Sequence, residues 1–320
     1  MANPIVRLKD IAEECGVSIN TASRALRNCS DIGEDTKKKI KKAAEEMGYI
    51  PNTLSDFMRG GKTNFVGVVV SSATNPYFTI CINELIAKLQ DLNYYPMILI
   101  SKNGVLDREL LMKMLLTRVC SIVCLSDVDD DVVTYCYEYK IPLVMVGKKP
   151  KNNYVNTLYP NDYKCGKIVG EEFIKSGKRR PCYVNCDSVS ANADRREGFI
   201  KTVASAGVHI DEYHCRFEDG PVFNKSVTKQ IIENGNDFIF CFNDEIASVL
   251  LDLLEREGYG DKTVIGVDGI SQYLHICRKI PSVGADFGHI VGRCVEILVK
   301  KISQDEKIYQ EVYPVSFIKT

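Results

Sequence analysis

Residues 8–26 read Leu8-Lys9-Asp10-Ile11-Ala12-Glu13-Glu14-Cys15-Gly16-Val17-Ser18-Ile19-Asn20-Thr21-Ala22-Ser23-Arg24-Ala25-Leu26, two short helical patterns broken at Gly16-Val17-Ser18. Leu8, Ile11 and Ala12 share one helix face, and Ala22, Ala25 and Leu26 share another, so the pair can bury a common seam. Glycine supplies the turn and Ser18 is a natural N-cap for the second helix. A third pattern, Glu34 to Met47, is closed by Gly48. The arrangement is a helix-turn-helix with a bracing third helix. Pro51 stops the helical run, and a further short segment, Asn52 to Arg59, ends at Gly60-Gly61 with Leu54, Phe57 and Met58 spaced for one apolar face.

From Phe65 onward the pattern changes. Strand-like runs appear at 65–71, 96–101, 121–126, 142–147, 181–186, 237–243 and 263–268. Between them lie helical stretches at Thr79 to Leu92, Asp107 to Thr117, Cys165 to Lys175, Asp194 to Ala206, Val227 to Glu233 and Glu245 to Gly258. Apolar strands alternating with helices predict buried parallel sheets in an α/β body, and a body of this length predicts two lobes around a cleft. The expected organisation is a head at 1–50, a linker at 51–62 and a two-lobed core at 63–320. The N-lobe is expected at about 63–161 plus 288–311, and the C-lobe at about 162–287 plus 312–320.

Composition narrows the class. The 320 residues are 45% hydrophobic and 26% charged, with a net charge of −1, an ordinary globular balance. Residues 1–62 carry eleven Lys/Arg against nine Asp/Glu, an asymmetry too mild to identify a nucleic-acid binder alone. The N-terminal stretch lacks a signal-peptide core and no run approaches the ~18 apolar residues that span a bilayer, so a cytoplasmic location with no membrane partner is expected. Thirteen scattered cysteines read as free core thiols. Cys120/Cys124 and Cys182/Cys186 are four apart, which on strands is same-face spacing and not a redox loop. No nucleophile elbow, phosphate-binding loop or His-Glu-x-x-His helix is present, and four histidines without ligand spacing give no metal site. No enzymatic activity and no cofactor are expected.

The motifs, taken together, resemble those of the lactose-repressor/galactose-repressor family of bacterial transcription regulators. In the head these are Leu8-Lys9-Asp10-Ile11-Ala12, Gly16-Val17-Ser18, Thr21 to Leu26 and Gly48-Tyr49-Ile50-Pro51-Asn52. In the body they are Asn75-Pro76-Tyr77-Phe78, Arg195-Arg196-Glu197-Gly198-Phe199, Phe242-Asn243-Asp244-Glu245-Ile246-Ala247 and Val264-Ile265-Gly266-Val267-Asp268. They stand in family order over essentially the whole chain. The resemblance implies an effector-responsive homodimer on a pseudo-palindromic operator, with periplasmic-binding-protein-like lobes and carbohydrate-utilisation genes as targets.

A recognition helix lays its first residues over base edges in the major groove. By resemblance Ile19, Asn20 and Arg24 are the base contacts, while Ser18, Thr21, Ser23, Asn28 and Tyr49 meet the backbone. Arg24 suits a guanine, whereas Ile19 can only touch a thymine methyl. The segment Asn52 to Arg59 resembles the family's hinge helix, with Met58 where the minor-groove wedge is usually Leu. So short a helix is expected to form only on DNA and against its dimer mate. In the core, Tyr77 and Phe78 offer aromatic faces, and Asp162, Arg195, Asn243 and Asp268 offer hydrogen bonds to a small-molecule effector, a sugar or sugar derivative. Asp268 after a strand and Asn243-Asp244 before a helix also read as plain capping residues. Two stretches depart from the family: Ser282 to Phe287 brings Asp286 where a Gln is often offered to ligand, and Tyr163 stands where Asn is common.

Two other readings remain. A stand-alone binding protein of the periplasmic type would share the core, but leaves the head unexplained. An α/β enzyme with an accessory DNA-binding head would need a reactive site that the residues do not supply. Ligand binding is expected to change the angle between the lobes and so, through the hinges, the spacing of the heads. No heptad repeat follows the final strand-like run, Val312 to Phe317, so a dimer and not a tetramer is expected.

Overall fold

The computed structural model describes residues 6–50, 63–186, 192–215, 224–274 and 279–319. They form two units, one ending at Thr63 and the other beginning at Asn64. The linker segment 51–62, with Asn52, Leu54, Phe57 and Met58, lies outside the described residues.

In the head, α1 is Leu8–Cys15, α2 is Ile19–Leu26 and α3 is Glu34–Glu46. The α1 start is fixed by the Arg7 backbone N–H, which donates to Asp10 at 2.7 Å. Gly16 takes φ 67°, a left-handed conformation that glycine reaches without penalty, and lets the Val17 N–H bond back to the Ala12 carbonyl at 2.9 Å. Glu34 and Asp35 open α3, where negative charge complements the helix dipole. Gly48, φ 67°, ends it in the same way. Ile11, Ala12, Cys15, Ala22, Ala25, Ile40 and Ala44 are buried together between the three helices.

The second unit holds two six-stranded sheets. The first runs β13 (Gln310–Tyr313), β7 (Asn156–Pro160), β6 (Leu143–Val146), β4 (Ser121–Cys124), β1 (Phe65–Val70), β2 (Tyr95–Ile100), all parallel. The second runs β14 (Ser316–Ile318), β12 (Ser282–Gly284), β11 (Thr263–Asp268), β10 (Phe238–Cys241), β8 (Pro181–Cys186), β9 (Asp211–Cys215). It is parallel except for β14, which runs antiparallel to β12. A two-stranded ladder pairs β3 (Val105–Leu106) with β5 (Asp127–Val128).

The helices are α4 (Pro76–Asp91), α5 (Arg108–Leu116), α6 (Asp130–Glu138), α7 (Asp162–Ser176), α8 (Asn192–Ala204), α9 (Asn224–Glu233), α10 (Asp244–Arg256) and α11 (Phe287–Ile302). The chain passes from the first sheet to the second after Pro160, returns at α11, whose Phe287, Ile290 and Val291 pack in the first-sheet core, and crosses again after Tyr313. The expected single run Val312 to Phe317 is therefore two strands in different sheets. Pro314, which lacks an N–H, separates them, and the apolar pattern does not register the break. Helix α4 begins three residues earlier than expected, because Asn75 caps it, accepting from the Tyr77 N–H at 2.9 Å, and Pro76 occupies its first position. Tyr77 and Phe78 thereby sit in its first turn.

Candidate DNA-reading surface and effector cleft

In the head, the Ser18 hydroxyl accepts from the Thr21 N–H at 3.0 Å and lies 2.8 Å from the Thr21 hydroxyl. Ile19 is 50% exposed beside exposed Asn20. Arg24, one turn further along α2, is half-buried, and its Nη2 lies 2.6 Å from the Asp31 carboxylate. That hydrogen bond raises the guanidinium's pKa and lowers the carboxyl's. The Arg24 Nε is turned inward without a hydrogen-bond partner. Asp31 was not legible as a partner, because it lies in a loop seven residues on. Asn28 takes φ 61° just past α2 and accepts from Lys41 at 2.5 Å. Tyr49 is half-buried against the head core. Ser23 departs from expectation: it is 8% exposed and shares the buried side of α2 with Ala22 and Ala25, so its hydroxyl is not presented to a phosphate.

In the core, a cleft of about 1080 Å³ is lined from both lobes. Asn75, Tyr77, Phe78, Asp127 and Lys148 come from the first; Arg195, Phe242, Asn243, Glu245 and Asp268 come from the second. Its position depends on a close helix crossing. A Cβ on Gly166 of α7 would lie 1.9 Å from the Arg195 carbonyl oxygen, and one on Gly198 of α8 would lie 2.1 Å from that of Tyr163. Only glycine lets the two helices approach this far, and the approach brings Arg195 to Asp162.

Arg195 is held from three sides. Its Nε donates to Asp162 at 2.7 Å, its Nη1 donates to the Phe242 carbonyl at 2.8 Å, and its Nη2 stands 3.9 Å from the Asp268 carboxylate. Asp162 does not line the main cleft; it sits behind Arg195 and orients it. Asp268 takes φ 116° at the end of β11, a region that costs of order 1–3 kcal/mol for a non-glycine residue. Its surroundings enforce this, since Gly269 follows at φ 73° and a Cβ on Gly284 would meet the Asp268 carbonyl at 2.8 Å. Burial pushes the Asp268 carboxyl up to about 8 against the pull of Arg195.

Asn243 is both a cap and a wall residue: its Oδ1 accepts from the Ile246 N–H at 3.0 Å while it lines the cleft. Asp244 is structural, accepting from the Ile270 N–H at 2.9 Å and the Ser282 hydroxyl at 2.7 Å, with burial pushing its carboxyl up to about 7. Tyr77 packs edge-on against Phe78 and Phe287, with ring centroids 5.4 Å apart in both pairs. Its hydroxyl covers Gly147, where a Cβ would meet it at 2.8 Å.

The departures at Asp286 and Tyr163 have different meanings from those expected. Asp286 is an exposed N-cap of α11, accepting from the His289 N–H at 3.0 Å, and the wall there is Gly284, Ala285 and Phe287. Tyr163 is 38% exposed on α7, away from the cleft. Phe242, Phe287, Tyr313, Glu245 and Lys148 also line the cleft; Phe242 and Glu245 fall within a family-like motif, whereas Lys148 and Tyr313 lie beside none. Cys124 and Cys182 are buried and burial pushes both thiols up, Cys124 to about 12.

Residues 7–52 match the family described as bacterial regulatory proteins, lacI family, and residues 63–282 match periplasmic binding proteins and the sugar binding domain of the LacI family. The chain is 25% identical over 309 residues to the HTH-type transcriptional repressor PurR of Photobacterium profundum, covering 92% of this chain and 91% of that one. The fold is similar to that of the Lac repressor dimer bound to operator and the anti-inducer ONPF, with a TM-score of 0.83, 18% identity and coverage of 99% and 98%. It is also similar to a LacI family transcriptional regulator from Enterococcus faecium with bound ribose, with a TM-score of 0.71, 19% identity and coverage of 80% and 97%. With a helix-turn-helix head and a two-sheet core both matched in order, the chain belongs to the LacI family of DNA-binding bacterial regulatory proteins.

Proposed function

We propose that this regulator is a transcriptional repressor that acts as a cytoplasmic homodimer on a pseudo-palindromic operator and answers to a sugar or sugar derivative. One observation carries the reading: the same chain presents Ile19, Asn20 and Arg24 on an open helix face and gathers Arg195, Asn243 and Asp268 around a cleft between two lobes. Ile19, Asn20 and Arg24 read bases, while Ser18, Thr21, Asn28 and Tyr49 engage the phosphate backbone. Met58 in the linker is the minor-groove wedge. In the cleft, Tyr77 and Phe78 cover the apolar C–H faces of the effector, Arg195 and Asn243 donate to its hydroxyls, Asp268 accepts from them, and Asp162 keeps Arg195 in place.

Support for a dimer comes from the neighbour solved as a dimer and from β2, an edge strand with Tyr95, Ile98 and Ile100 each about half exposed, a combination that seeks a partner. Effector and operator are coupled because a ligand that bridges the lobes binds one arrangement better than the other. The role is regulatory, with targets among carbohydrate-utilisation genes. The test is selection of bound duplexes from a random library by the purified chain, followed by binding assays on the enriched sequence with and without candidate sugars. A palindromic consensus whose affinity responds to a sugar is the expected result; no enrichment overturns the reading.

A further inference from the structure

The charges lining the cleft narrow the chemistry of its ligand. Among the described residues the wall carries two cations, Lys148 and Arg195, and both are already engaged. The Lys148 Nζ lies 3.3 Å from the Asp127 carboxylate, and the Arg195 guanidinium is taken up by Asp162, the Phe242 carbonyl and Asp268. Three acidic side chains line the wall, Asp127, Asp268 and Glu245, and burial keeps the Asp268 proton up to about pH 8. Glu245 stands apart. Its partner is the neutral amide of Asn75 in the opposite lobe, which donates to Oε2 at 2.9 Å, and no cation pairs with it among the described residues. Burial pushes its carboxyl above the ordinary value, while its place in the first turn of α10, at the positive end of the helix dipole, favours its charge.

A carboxylate or phosphate entering this space would be desolvated beside the Glu245 carboxylate with no uncommitted cation to meet it, which is strongly unfavourable. An ammonium group finds the reverse: the Glu245 carboxylate without a cation, a second acceptor at Asp268, and the aromatic side chains of Tyr77 and Phe78 in the wall, since aromatic rings attract cations; the Phe242 ring already carries the Arg195 guanidinium, 5.0 Å from its centroid. We infer that the effector is a hydroxylated amine of the amino-sugar type, without carboxylate or phosphate, and that Glu245 is the residue that selects the amine. This rests on the reading of the cleft as the effector site.

The test uses the full chain in calorimetric titrations with matched hexose series: neutral sugar, 2-amino sugar, uronic acid and 6-phosphate of glucose, galactose and mannose, at a pH where the amine is protonated. In at least one series the amino sugar binds about tenfold tighter than its neutral parent, the two acids do not bind, and Glu245→Gln brings the amine-to-neutral ratio near one. A uronate or sugar phosphate binding tighter than the neutral parent, or a neutral sugar preferred over its amine, overturns the inference and leaves the effector cleft standing. An unchanged ratio in Glu245→Gln overturns the assignment to that residue. Silence across all three series overturns the cleft reading and the inference with it.

Discussion

At the residue scale, Arg24 is held by Asp31, and the proposed reading of a guanine by Arg24 requires it to share or exchange that carboxylate. Arg24→Ala is expected to cost about 1–3 kcal/mol on the operator and to relax preference at one base pair, which competition against single-substituted operators measures. Asp31→Asn removes a negative charge from the reading surface. It should raise affinity for random duplex more than for operator and steepen the salt dependence by about one unit of slope; an unaltered specificity ratio contradicts that role. Asp268 carries a prediction of another kind. With its carboxyl pushed up to about 8 in the fold and about 3.9 in an unfolded chain, the folded form holds the extra proton between those values. Its stability contribution is therefore present at low pH and lost as pH rises through about 8. Denaturant melts of Asp268→Asn should lose less stability between pH 6 and pH 9 than the parent does; parallel losses would show that Asp268 is already ionised in the ligand-free protein.

Among the elements, the α7–α8 crossing decides whether a site exists. Gly166→Ala or Gly198→Ala would drive a Cβ into opposing backbone, destabilising the core by about 3 kcal/mol as overpacking does and prising Arg195 from Asp162. Urea titrations of the two variants check this, and a loss below about 1 kcal/mol in both would mean that the crossing is looser than described. Much of this architecture was legible. The glycine three residues after Arg195 is part of a recognisable motif, and strands such as β1 and β11 are continuous apolar runs that only a buried parallel strand explains. Less was legible where polar residues are buried and satisfied. Asn156 and Thr157 lie within β7 because Asn156 bonds the Leu143 carbonyl and the Tyr309 N–H while Thr157 donates to the Lys148 carbonyl, contacts that hydrophobic patterning does not register. Edge strand β9, Asp-Glu-Tyr-His-Cys, is hidden for a different reason: only Tyr213 and Cys215 are buried, and the three polar residues between and before them give no apolar run. In the site, Arg195, Asn243 and Asp268 could be named from motifs, but Asp286 was misplaced because capping a helix and facing a ligand look alike in sequence, and Glu245 emerged only when the lobes came together.

For the whole molecule, two activities in one chain imply a coupling between them. The exposed apolar edge at Tyr95, Ile98 and Ile100 is expected to be covered by a second copy. Sedimentation at micromolar protein should give a dimer, and Ile98→Asp with Ile100→Asp should shift it toward monomer and weaken operator binding; an unaffected dimer would place the interface elsewhere. The central claim is that the cleft controls the head. The measurement that tests it most directly is operator affinity of the full chain, with and without a ligand that titrates into the cleft, in the parent and in Asp268→Asn. A ligand-dependent change of about 5- to 150-fold, corresponding to the ~1–3 kcal/mol typical of allosteric coupling, present in the parent and abolished in the variant, is the predicted result. Equal operator affinity with the cleft empty and saturated would contradict the account.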